Sequence, residues 1–121
     1  MPTPNMFIVY VTDAAASARF YSDLFEMTPD FESPRFITFD LGGGLKLALW
    51  SGHAEKLSAA GARTSELCLN VPDGPDAIDR RFDTWVSHGV EIVQDPHDAV
   101  FGRTFVIADP DGNLIRVAPV D

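Results

Sequence analysis

V-Y-V-T-D at residues 9–13 returns as L-N-V-P-D at residues 69–73, so that Val9, Val11 and Asp13 recur as Leu69, Val71 and Asp73 at an offset of 60. A repeat at fixed spacing means that one supersecondary unit is used twice, and the rest of the chain is read in that frame. In the first copy, Met6 to Val11 is a short apolar, β-branched run that suits a strand. Asp13 stands where a helix N-cap belongs, its carboxylate able to accept from free backbone N–H groups ahead of a helix over Ala14 to Phe25. Ala16, Phe20 and Leu24, with Tyr21 and Phe25 beside them, give that helix an apolar stripe. Pro29 stops it. Phe31 to Pro34 reads as a loop, and Arg35 to Leu41 and Leu45 to Trp50 as two strands joined through Gly42, Gly43 and Gly44.

The second copy keeps the order. Ser65 to Val71 is a strand, and Asp73 stands as its capping residue; Pro75 to His88 is a helix with Pro75 in its first turn and Gly89 at its C-terminal cap. Ile78, Phe82, Trp85 and Val86 form the helix's buried stripe. Strands follow near Glu91 to Val93, Arg103 to Ala108 and Leu114 to Ala118, with a loop over Pro96 to Val100 and a D-P-D-G-N turn at residues 109–113. The fold class is therefore α+β: one domain over residues 1–121, made of two βαβββ modules at about 1–50 and 64–121 with a linker at 51–63. Their mixed sheets are expected to curl around a central cleft, the natural seat for a ligand.

Composition narrows the partners. Eighteen acidic against nine basic residues leave a formal net charge of -9, with Lys and Arg scattered, so nucleic acid is excluded as a partner. Cys68 is the single cysteine, which rules out an intrachain disulfide and a thiolate zinc cluster; between Leu67 and Leu69 it reads as a small core residue. His53, His88 and His97 show no metal-ligand spacing and read as surface residues. No stretch is long and apolar enough to enter a membrane, and the first residues lack a basic region followed by an apolar run, so the expected location is cytoplasmic.

The segments V-Y-V-T-D-A-A-A-S-A-R-F-Y-S-D-L-F and A-D-P-D-G-N-L-I-R-V, joined to the repeat, resemble the vicinal oxygen chelate superfamily, the glyoxalase, bleomycin-resistance and dioxygenase fold, over essentially the whole chain. The resemblance implies metal ligands seven residues before each capping Asp and on the last strand of each module. Those positions hold Met6, Glu66, Ala48 and Arg116, of which only Glu66 suits a hard divalent ion while a guanidinium opposes one. The expectation is no metal, no other cofactor and no catalytic residue. Glu66 and Arg116 then have two readings: an ion pair filling the vacated position, or a holder for a polar ligand group.

Alternation along the strands sets Ile8 and Tyr10 with Met6, Trp50 with Ala48, Cys68 and Asn70 with Glu66, and Leu114 and Ala118 with Arg116 on the cleft wall. Trp50 offers a flat face to a planar ligand, or else a contact within a dimer. More narrowly, R-F-I-T-F, L-W-S-G, S-E-L and V-F-G-R-T-F-V-I-A-D-P-D-G-N-L-I-R-V-A-P-V-D are similar to the phenazine antibiotic resistance proteins of this superfamily. That similarity implies a homodimer binding a planar aromatic molecule stacked on Trp50, with the cleft at the subunit interface and Phe101 and Arg103 on its rim. Resistance would follow from sequestration or hand-over for export. A metal-dependent glyoxalase or dioxygenase, and a binder of a cationic drug of the bleomycin type, are the competing readings.

Overall fold

The computed structural model describes residues 2–54, 57 and 61–120. The chain divides into two compact units, Met1–Gly61 and Ala62–Asp121. The first carries β1 (Met6–Tyr10), α1 (Ala14–Phe25), β2 (Phe31–Glu32), β3 (Phe36–Gly42) and β4 (Leu45–Trp50). The second carries β5 (Glu66–Val71), α2 (Pro75–Ser87), β6 (Glu91–Ala99), β7 (Gly102–Ala108) and β8 (Leu114–Pro119). Among the described residues each unit has one four-stranded sheet, ordered β1-β4-β3-β2 and β5-β8-β7-β6, with a single parallel pair in each. The order is the same in both, so the sequence repeat is a structural one.

In the first unit Asp13 caps α1 as expected, the Ala16 N–H donating to its Oδ1 at 3.1 Å. The stripe that α1 buries is Ala14, Ser17, Ala18, Tyr21 and Leu24, a quarter turn from the expected Ala16 and Phe20, both only half-buried. It packs on β3 and β4 through Ile37, Phe39, Leu47 and Leu49, all almost fully buried. Burying four large apolar side chains stabilises the unit by roughly 1.5–3 kcal/mol each. Small Ala and Ser side chains let the helix backbone approach the sheet, so a purely hydrophobic count misplaces the stripe.

The second unit repeats the arrangement with different chemistry. Helix α2 starts from Gly74 with no side-chain cap, so Asp73 does not take the role expected of it, and Pro75 fits the first turn. Ile78 and Trp85 are buried against Phe105, Ile107, Ile115 and Val117, while Val86, expected in the stripe, is 40% exposed. Two loops expected from proline are paired strand instead: Phe31–Glu32 joins the edge of the first sheet, and β6 runs through Pro96 to Ala99. The ladder shifts register between Gln94 and His97, which is how a strand accommodates a proline that has no N–H to donate. Of the linker at 51–63, residues 55, 56 and 58–60 lie outside the described residues.

Asp109 is buried at the start of the D-P-D-G-N turn and satisfies it from within. Its Oδ1 accepts from the backbone N–H groups of Asp111 and Asn113, and its Oδ2 from Asn113 Nδ2 at 2.9 Å. Arg63 closes the outside, donating from Nη2 to the Asp111 carbonyl at 2.7 Å and from Nε to Asn113 Oδ1 at 3.3 Å.

Candidate ligand-binding site

The register of each sheet decides which side chains share the face turned away from the helix. In the first unit Met6 pairs with Lys46, Ile8 with Ala48 and Tyr10 with Trp50, and β3 adds Asp40, Thr38 and Phe36 to the same rows. In the second, Glu66 pairs with Leu114, Cys68 with Arg116 and Asn70 with Ala118. Met6 thus corresponds to Glu66 and Ala48 to Arg116. Met6 and Glu66 lie one diagonal step from Ala48 and Arg116 respectively, as the spacing predicts.

The first unit's face is aromatic at its Trp50 end. Trp50 ends β4 half-buried, with Tyr10 edge-on at 5.5 Å between ring centroids and an interplanar angle of 78°. His53, assigned to the surface by its place in a linker, is half-buried and meets the indole at 4.5 Å and 71°, and Tyr10 at 5.7 Å. Its signal in the sequence is the spacing W-S-G-H, in which a glycine lets the chain turn back onto the Trp ring. Met6, Ile8 and Tyr10 are 38%, 50% and 43% exposed, whereas Ala48 is fully buried and offers a ligand nothing beyond a flat floor. Lys46 is engaged by Asp30, which also accepts from Thr38 Oγ1 at 2.5 Å; the Lys46 hydrogen bond and the Thr38 hydroxyl together hold the Asp30 carboxyl below its ordinary range.

The second unit's corresponding face is polar. Arg116 donates from Nε to Glu66 Oε1 at 2.5 Å and from Nη1 to Thr104 Oγ1 at 3.1 Å, and its guanidinium carbon lies 5.9 Å from the centre of the Phe101 ring. Thr104 is buried and passes its own proton to the Val117 carbonyl at 2.7 Å, so the cation is oriented by fixed groups on two strands. Glu66 and Arg116 retain side-chain exposures of 34% and 21%, leaving the pair accessible. Cys68 is exposed on this face, not in the core: alternation sets Leu67 and Leu69 on one side and Cys68 on the other. Burial, then the Glu66 carboxylate, push its thiol above the ordinary value, with Arg116 pulling the other way.

Arg103 does not join Arg116. Val106 pairs with Arg116, so Thr104 shares its face and Arg103 points to the opposite one. There its Nε donates to Asp79 Oδ1 of α2 at 3.0 Å and its Nη1 reaches Asp98 Oδ1 at 3.4 Å. Arg103 staples helix to sheet; Phe101, two residues earlier, is the residue of this segment that approaches Arg116.

Met6, Ala48 and Glu66 offer few donors to a metal. Met6 brings one soft thioether, Ala48 none, and Glu66 is engaged by a cation; among the described residues no three His, Cys, Asp or Glu side chains gather to hold an ion. Among them, too, no helix is long and apolar enough to cross a membrane.

Each unit is an α+β module of one helix and one four-stranded mixed sheet, with the same strand order in both. Residues 3–117 match the model of the Glyoxalase/Bleomycin resistance protein/Dioxygenase superfamily, and the chain belongs to that family. Within it, the chain is 40% identical over 122 residues to the phenazine antibiotic resistance protein EhpR of Enterobacter agglomerans, covering 98% of this chain and 93% of that protein. The solution NMR structure of protein ATC0852 from Agrobacterium tumefaciens is similar at TM-score 0.85 and 35% identity, covering 100% and 99% of the two chains. A glyoxalase/bleomycin resistance protein/dioxygenase from Nocardioides shares the fold at TM-score 0.80 and 24% identity, over 100% of this chain and 85% of that one.

Proposed function

We propose that this chain binds a planar aromatic small molecule of the phenazine antibiotic class without a metal, and that resistance follows by sequestration or hand-over for export. The observation that carries the reading is Trp50, half-buried at the end of β4 and flanked edge-on by Tyr10, a surface on which a flat ring system can stack. Arg116, oriented by Glu66 and Thr104, is the group suited to a ligand carboxylate, through charge-assisted hydrogen bonds. The likeness to the Enterobacter agglomerans protein supports the ligand class. Met6 and Phe101 complete the proposed contacts, with Ala48 left out for its full burial and Arg103 for its bond to Asp79.

The metal-dependent enzyme reading lacks donors, and the cationic-drug reading, favoured by the -9 charge, is opposed by Arg116 on the exposed face. The proposal also takes the protein to be a cytoplasmic homodimer whose binding cleft is completed by the partner. Support comes from the single cysteine and from the apolar edge strand β1, where Met6, Phe7, Ile8 and Tyr10 all remain exposed. Sedimentation tests the dimer. Titration of phenazine-1-carboxylate tests the ligand: saturable quenching of tryptophan fluorescence in the native chain, with affinity weakened in Trp50→Ala when followed by isothermal titration, supports it, and an unresponsive native chain overturns it.

A further inference from the structure

Trp50 is held by more than its strand. The Ser51 N–H donates to the Arg35 carbonyl at 2.9 Å, prolonging the β3–β4 pairing by one step, and the Ala54 N–H returns to the Ser51 carbonyl at 3.3 Å. The chain therefore bends back at Gly52 onto the indole it has just left. A β-carbon at Gly52 would stand 2.3 Å from both Cε2 and Nε1 of Trp50, far inside contact distance, so glycine is what permits the fold-back. The next residue, His53, thereby meets the indole at 4.5 Å and 71°, within the span of favourable edge-to-face aromatic pairs. Tyr10, from a different strand, meets both rings.

A Trp side chain at a strand end has two rotatable bonds, and a ligand that stacks on it must absorb the entropy of fixing them. Here Gly52, His53 and Tyr10 restrict the ring before any ligand arrives. We propose that Gly52 and His53 are positioning residues that preset the Trp50 indole for stacking, with His53 acting by its aromatic edge. This rests on the reading of Trp50 as the ligand's stacking face. Its consequence is that affinity for a planar ligand depends on a residue outside the strands that frame the site.

The full-length chain labelled with 5-fluorotryptophan tests this by fluorine NMR, with the Trp50 resonance assigned from Trp50→Phe and buried Trp85 as internal reference. In the absence of ligand, His53→Ala is expected to shift and broaden the Trp50 resonance while leaving that of Trp85 in place, and His53→Phe to restore it. Gly52→Ala, which forces the indole aside, is expected to move the same resonance. Binding of phenazine-1-carboxylate should weaken roughly three- to tenfold in His53→Ala and recover to within about twofold in His53→Phe. An unmoved Trp50 resonance in His53→Ala overturns the proposal, as does a His53→Phe variant no better than His53→Ala. If the native chain binds no phenazine, the stacking reading fails, while the ligand-free spectra still decide whether His53 positions Trp50.

Discussion

Arg116 and Glu66 stand one diagonal step apart on the parallel pair β8–β5, joined from Nε to Oε1 at 2.5 Å. With Thr104 fixing a second guanidinium nitrogen, Arg116 is directed by two partners and still 21% exposed.

Arg116→Gln should therefore weaken an anionic phenazine carboxylate by roughly 1.5–3 kcal/mol, the range for hydrogen bonds to a charged group, and leave an uncharged phenazine nearly unaffected. Isothermal titration of the two ligands separates charge recognition from a general loss of structure. Equal losses for both would remove Arg116 from the ligand's polar contacts.

Asp109 is a wholly internal matter. Its carboxylate accepts from three donors and is 3% exposed, so Asp109→Ala leaves part-buried N–H groups without that acceptor. The expected cost is about 2–4 kcal/mol in urea unfolding. A loss below about 1 kcal/mol would show that the turn is held by its backbone and Arg63 alone.

Asp30 links stability to pH. Its carboxyl is held below its ordinary value in the folded chain by the Lys46 hydrogen bond first and Thr38 second, so the unfolded chain takes up the proton more readily. The contribution is complete above the ordinary carboxylate value and fades as pH falls through the lowered one, from about pH 5 downward. Asp30→Asn should be less stable than the native chain at neutral pH, with the difference shrinking in acid. Urea melts of both proteins across that window check the sign.

Much of this architecture is legible in the sequence. The Asp13 cap and the β4 strand ending at Trp50 follow from cap chemistry and strand pattern, while the correspondence of Met6 with Glu66 and of Ala48 with Arg116 comes from the family resemblance laid onto the repeat. What escaped depended on contacts between elements. The resemblance places Arg103 on the rim with Phe101, yet the pairing of Val106 with Arg116 turns it toward Asp79. For Cys68 the apolar neighbours Leu67 and Leu69 suggest the core while alternation sets it beside Glu66, and its exposure agrees with alternation. The buried face of α1 includes Ser17, which no hydrophobic stripe marks, and His53 gained its place only through a fold-back at Gly52.

The central claim is that a planar aromatic molecule stacks on Trp50. Fluorescence-monitored titration of phenazine-1-carboxylate into the native chain and into Trp50→Ala tests it most directly. The account predicts one saturable site per chain in the native protein and a loss of about 1–3 kcal/mol, roughly five- to 150-fold, in the variant. Native chain that binds nothing, or a variant that binds as tightly as the native protein, would contradict it.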